Sequence, residues 1–249
     1  MSEEGSNICK NCGTRSELFY CPSCGQRLSV HKVTFSETFG DLAEAFFSVN
    51  APLLYTVKEL VISPGVLLRN YLNGQRRRYY KPVSFFLLTT FLYLIIRSII
   101  GFDPFRNSMI VVEEGSLEGT SLTDARNYML LNINNFLFIF VFTLAIFTKL
   151  LFHKRYSLAE FIAISFYVLG MYTLLVTCNM FLVQYLGDFM QPAGILIMFI
   201  YFIYAMCSLF QKSYFVVILK SAILFMLAFV SYFMLSYGLS YLIVSYKQG

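Results

Sequence analysis

Charge is what this chain has least of. Only 13% of its 249 residues are Asp, Glu, Lys or Arg, against 57% hydrophobic residues. Soluble domains carry roughly 25% charged residues, and a chain of this length has no interior large enough to hide so much apolar surface. A water-soluble enzyme and a disordered chain are both excluded by composition, leaving an integral membrane protein. Tryptophan is absent and histidine occurs twice, at His31 and His153. No apolar run carries a carboxylate at its middle, and H-E-x-x-H is missing. Proton relays and intramembrane metalloproteolysis place ionisable groups at such positions, so both lose support. No signal peptide is recognisable at the start, and no repeat of 20–50 residues argues for a solenoid.

Five apolar runs approach the roughly 20 residues that cross a bilayer: 83–101, 134–152, 158–186, 193–211 and 215–244. The fold class that follows is an all-α membrane protein, a bundle of about five transmembrane helices. Ser157 and Glu160 form a capping box that sets the start of the third run. Basic residues alternate with acidic ones between the runs. Arg69, Arg76, Arg77, Arg78 and Lys81 precede the first, the 102–133 loop is acidic, and Lys149, His153, Lys154 and Arg155 follow the second. Under the positive-inside rule the N-terminus is expected to be cytoplasmic and the C-terminus external. Arg97, Lys149, Glu160 and Lys220 lie near run ends, within reach of the interface. Without Trp, the interfacial aromatic belt falls to Tyr79, Tyr80, Tyr156, Tyr185, Tyr214 and Tyr246. Thr173, Thr177 and Gln184 share a face of the third run and read as interhelical hydrogen-bonding groups.

Two segments precede the bundle (83–249). In 31–82, Thr34 with Glu37 reads as a capping box ahead of an amphipathic helix over 35–47. Pro52 opens a second helix with Leu53, Leu54, Val57, Leu60 and Val61 on one face. Ser63 caps a third, with Pro64 at its first position and Gly74 beyond its end. All three are too short to span and are expected at the cytoplasmic interface. The first 30 residues hold C-x2-C-x8-C-x2-C: Cys9, Cys12, Cys21 and Cys24, each pair followed by glycine. Four thiolates at this spacing suit one tetrahedral zinc ion. With every position filled by cysteine, no coordination site remains for a catalytic water, so the expected role is structural. The cytoplasmic location disfavours disulfides. Lys10, Arg15 and Arg27 balance Glu3, Glu4 and Glu17, which is no electrostatic footprint for nucleic acid.

The basic stretch Arg69, Arg76, Arg77, Arg78, Tyr79, Tyr80, Lys81 has two readings. It orients the first span, or its guanidinium groups and paired tyrosines contact anionic lipid headgroups. Knuckles ending in Cys21-Pro22-Ser23-Cys24-Gly25-Gln26, followed by Thr56, Pro64-Gly65, Tyr71-Leu72-Asn73-Gly74-Gln75-Arg76, Tyr79 and Pro82, resemble a bacterial membrane family of unknown function, domain of unknown function 3667, found largely in Bacteroidota. The resemblance covers about residues 9–100. It implies a zinc-ribbon membrane architecture and brings no established activity.

No nucleophile, base and oxyanion site can be assembled from these residues, so no catalytic residue is assigned. The expected protein is a non-enzymatic docking or regulatory protein presenting a zinc ribbon to the cytoplasm. Its expected partners are membrane lipid and a cytoplasmic protein, with self-association left open and nucleic acid not expected. The alternative is a transporter or lipid-handling protein that recruits anionic headgroups through the basic cluster.

Overall fold

The computed structural model describes residues 7–28, 52–102, 121–133, 135–152, 155–187, 190, 192–211 and 214–248. The amphipathic stretch 35–47, the acidic residues of 103–120 and the cations His31, His153, Lys154 and Lys212 lie outside them. Two short strands, β1 (Asn7–Ile8) and β2 (Arg15–Ser16), pair antiparallel near the N-terminus. Eight described helices follow: α1 (Pro52–Ile62), α2 (Pro64–Leu72), α3 (Pro82–Ile100), α4 (Ser121–Leu131), α5 (Leu137–Leu151), α6 (Leu158–Leu186), α7 (Ala193–Phe210) and α8 (Tyr214–Gln248).

Proline punctuates this architecture. It stands at the first position of α1, α2 and α3, where its missing N–H is not needed. The capping box of α6 is formed as expected: Glu160 N donates to Ser157 Oγ at 3.3 Å, and Ser157 N to Glu160 Oε2 at 2.6 Å. Ser63 does not cap α2. Its hydroxyl turns back and donates to Glu59 Oε2, 3.3 Å away on α1, and its oxygen accepts from no N–H of α2.

Helix α6 is the axis. Most of it is buried, and α3, α5 and α7 pack around it, with α8 closing against α5 and α7. Four helices, α3, α6, α7 and α8, are long and apolar enough to cross a membrane. The second expected span is shorter than 134–152: α5 has 15 residues, about 22 Å of helix at 1.5 Å per residue. It nevertheless runs between the same two ends of the bundle as its neighbours. Its start follows α4, and just beyond its end Arg155 Nη1 donates to Phe210 O, the last residue of α7. At the opposite end α8 passes α4, where Tyr237 donates to Leu122 O and Lys247 lies over the Tyr128 ring. The C-terminus and the cysteine-bearing N-terminal unit therefore sit at opposite ends. Outward faces carry Phe91, Ile95, Leu196, Ile200, Leu219 and Met226 among other exposed apolar side chains, a surface suited to lipid.

The two threonines of the α6 stripe do not bridge helices as expected. Thr173 donates to Gly170 O (2.8 Å) and Thr177 to Thr173 O (2.7 Å), within their own helix, as Ser and Thr do when a carbonyl one turn back is nearer than any neighbour.

Candidate metal centre and juxtamembrane collar

The two C-x-x-C-G turns fold alike. Gly13 N donates to Cys9 O and Gly25 N to Cys21 O, both at 2.8 Å. Cys9 N donates to Thr14 O and Cys21 N to Gln26 O. Both glycines have φ near +70 to +78°, where a Cβ would strain the backbone. Each turn closes a small ladder, β1–β2 for the first and the Tyr20–Arg27 bridge for the second. The result brings four sulfurs from two separated sequence pairs within 4.8 Å of one another. Cys9 Sγ lies 3.6 Å from Cys24 Sγ, and Cys12 Sγ lies 3.5 Å from Cys21 Sγ. These are far longer than a disulfide. They approach the ~3.8 Å edge of a tetrahedron whose ligands stand about 2.3 Å from a central zinc. The donor set and its geometry could hold one metal ion.

The thiols are not equivalent. The Thr14 hydroxyl beside exposed Cys12 (3.2 Å) pulls its thiol down to about 6. Desolvation pushes Cys24 up to about 11. Cys9, Cys12, Cys21 and Cys24 would hold a metal ion as thiolates, so that binding would release their protons.

This unit sits on the segment that leads into α3, through one side chain. Gln26 is buried; its Nε2 donates to Gly74 O (2.5 Å), and its Oε1 accepts from Arg77 N (3.3 Å). Gly74, at φ 109°, turns its carbonyl into that contact. Sequence reasoning did not single out Gln26, and the only signal for it is its place just after the second knuckle.

Residues of the basic stretch separate into two groups. Arg69 is not a free cation: its Nη1 donates to Ser208 O and Leu209 O (2.9 Å), carbonyls that end α7 and have no partner within that helix. Gly65 makes this possible, since a Cβ there would stand 2.0 Å from Ser208 O; its own N–H donates to Ser208 Oγ at 3.0 Å. Tyr201 and Tyr204 of α7 return the favour by donating to Leu60 O and Ile62 O at the end of α1. Tyr79 and Tyr80, expected at headgroup depth, are instead buried at 3% and 6% exposure. Tyr79 Oη accepts from Asn70 Nδ2, Tyr80 N donates to Thr56 Oγ1 (2.9 Å), and Tyr80 O accepts from Tyr167 Oη (2.6 Å). Desolvation raises the Tyr80 phenol above its ordinary range. A polar loop lodged between helices must satisfy its backbone internally, and these residues do it.

Arg76 and Lys81 are half-buried, with Arg76 over the Tyr71 ring. Arg77 and Arg78 are exposed, Arg78 at 4.5 Å from the Tyr55 ring centroid. They are the members of the stretch that face outward. Helices α1 and α2 pack on α6 and α7 rather than lying free on a surface. On α1 the buried residues are Thr56 and Leu60, whereas Leu54 and Val61, expected on the same face, are exposed. Together α1, α2 and 73–81 form a collar that closes the helix ends of the bundle.

No curated protein and no solved structure matches this chain. The segment that comparison with protein families recognises is the collar and the first part of α3, which hold Thr56, Pro64-Gly65, Arg69, Gly74, Tyr79 and Pro82; the cysteine knuckles, which carry the other part of the resemblance, lie outside the match. Residues 51–94 are similar to the family described as Protein of unknown function (DUF3667).

Proposed function

We propose that this is a non-enzymatic protein of the bacterial inner membrane whose N-terminal unit is a structural zinc ribbon, held against the collar and presented to a cytoplasmic protein. The observation that carries the reading is the four-sulfur cluster seated on the DUF3667 collar by Gln26. Bound zinc would supply the folding energy that 22 described residues with three buried apolar side chains, Cys9, Cys21 and Leu28, do not supply themselves. Cys9, Cys12, Cys21 and Cys24 hold it, and Gln26 transmits the fixed ribbon position to the backbone at 74–77.

Docking is supported by the tip between the knuckles. Leu18, Phe19 and Tyr20 are 62%, 85% and 60% exposed, and Ile8 on β1 is 56% exposed. Apolar side chains clustered on so small a unit mark an interaction surface. Five crossings, counting α5, keep the ribbon cytoplasmic and the C-terminus external under the positive-inside rule. The test is native mass spectrometry of full-length protein from its own membranes. One zinc per chain and a stoichiometric protein partner are expected. Leu18→Ser with Phe19→Ser releases the partner and keeps the zinc. Absence of zinc, or a partner retained by this double variant, refutes the reading.

A second reading, lipid handling, is favoured by the exposure of Arg77 and Arg78 beside the collar. Arg77→Glu with Arg78→Glu would then strip anionic lipid while leaving zinc and insertion intact; unchanged lipid removes this alternative.

A further inference from the structure

At the end of the bundle away from the cysteine centre, α3, α5, α6, α7 and α8 line a partly open cavity of about 230 Å³. That exceeds the ~150 Å³ apolar cavity known to stay dry and take up benzene. Its wall is aromatic and aliphatic, with Phe140, Tyr172, Met198, Phe229 and Tyr232 prominent, and no charged residue among the described residues lines it. A charged ligand would lose its hydration there with nothing to replace it.

Asn179 breaks this apolar wall. It is 5% exposed, on the face of α6 that lines the cavity. Its Nδ2 donates to Met190 O at 3.4 Å, which orients the amide, and its Oδ1 has no partner. Of the other polar groups of the wall, Thr173 bonds Gly170 O and Tyr232 bonds Ile133 O. A buried acceptor left unpaired is a standing penalty in an apolar setting, and it is relieved by a ligand that donates.

We propose that this cavity binds an uncharged amphiphile, its apolar chain or ring among the aromatic side chains and a hydroxyl or N–H donating to Asn179 Oδ1. The site stands apart from the cysteine centre and the collar, and it survives if the ribbon reading fails.

The probe is decan-1-ol carrying a photoactivatable diazirine on its chain, used on full-length protein in detergent, with labelled residues mapped by mass spectrometry. Saturable labelling of Met198, Phe229 and Tyr232 is expected. Unlabelled decan-1-ol should compete roughly tenfold better than decane, the worth of one hydrogen bond, and decanoate no better than decane. Asn179→Leu should erase the difference between alcohol and alkane. It should also melt close to the wild-type temperature, because the unpaired acceptor it removes offsets the lost bond to Met190 O. Val176→Phe, which fills the cavity, should abolish labelling by both routes. Non-saturable labelling spread over outward residues such as Leu219 and Met226 overturns the proposal. So does equal competition by decan-1-ol and decane in the wild type, a result that needs no variant to fold. The source of the ligand is read separately: a neutral lipid retained from the native membrane assigns the bilayer, and saturable probe binding without one assigns a diffusible amphiphile.

Discussion

Replacing Gly65 by alanine tests whether the Pro-Gly turn exists for packing or for a headgroup. A Cβ built on Gly65 stands 2.0 Å from the Ser208 carbonyl oxygen and 2.4 Å from Leu209 N. Both obstacles are backbone, so neither can swing aside. Ordinary contact begins near 3.4 Å, and α2 must withdraw from α7 by roughly 1.4 Å. That movement stretches the Gly65 N to Ser208 Oγ bond from 3.0 Å beyond hydrogen-bond range and draws Arg69 off the α7 carbonyls. Overpacking of this kind costs about 1–3 kcal/mol, and hydrogen bonds to a charged donor about 1.5–3 kcal/mol. The two overlap, so about 3 kcal/mol is expected for Gly65→Ala. Ser208→Ala, which loses one neutral hydrogen bond, should cost about 1 kcal/mol, and Arg69→Met about 2 kcal/mol because it leaves helix-end carbonyls unpaired. Reversible unfolding in mixed micelles, followed by far-ultraviolet circular dichroism, measures all three, with bound lipid counted in parallel. Gly65→Ala within 0.5 kcal/mol of wild type would show that α2 and α7 do not meet as described. Loss of anionic lipid from Arg69→Met at unchanged stability would make Arg69 a headgroup ligand and sink the capping argument.

Three further outcomes are expected. Stripping the metal with a chelator should unfold residues 7–28, read as loss of amide protection at Gly13 and Gly25 and as iodoacetamide labelling of the buried Cys9 and Cys21; unchanged protection with Cys9 and Cys21 still unreactive after chelation refutes metal-dependent folding. Gln26→Ala should raise amide exchange at Arg77 roughly tenfold while zinc content is unchanged, since it removes the Oε1 acceptor of that N–H; unaltered exchange means the ribbon is not fastened there. Ser157→Ala should lower stability by about 1 kcal/mol through loss of the α6 capping box, and a melting temperature equal to wild type would count against it.

Apolar run length, the Ser157–Glu160 box and the prolines at 52, 64 and 82 are local signals, and α3, α6, α7 and α8 appear close to where those signals put them. The cysteine cluster was legible for the same reason: spacing of two between ligands, with glycine after each pair, is enough to shape a turn that presents two sulfurs. The basic stretch was not. In one dimension Arg69 and Arg77 are equivalent cations beside a membrane. Only the α2–α7 crossing, set by contacts 139 and 140 residues apart, turns Arg69 into a helix cap and leaves Arg77 and Arg78 outward. Tyr79 and Tyr80 changed role likewise, because the loop that carries them is lodged over α6, where Tyr167 meets its backbone. No sequence pattern singles out Asn179; its unpaired oxygen and the cavity beside it exist only where five helices meet. Composition and periodicity decide which residues enter the membrane, since each acts through its own transfer energy and its neighbours in sequence. Which polar group remains free for a ligand depends on every partner within hydrogen-bond reach, and those partners are chosen by packing.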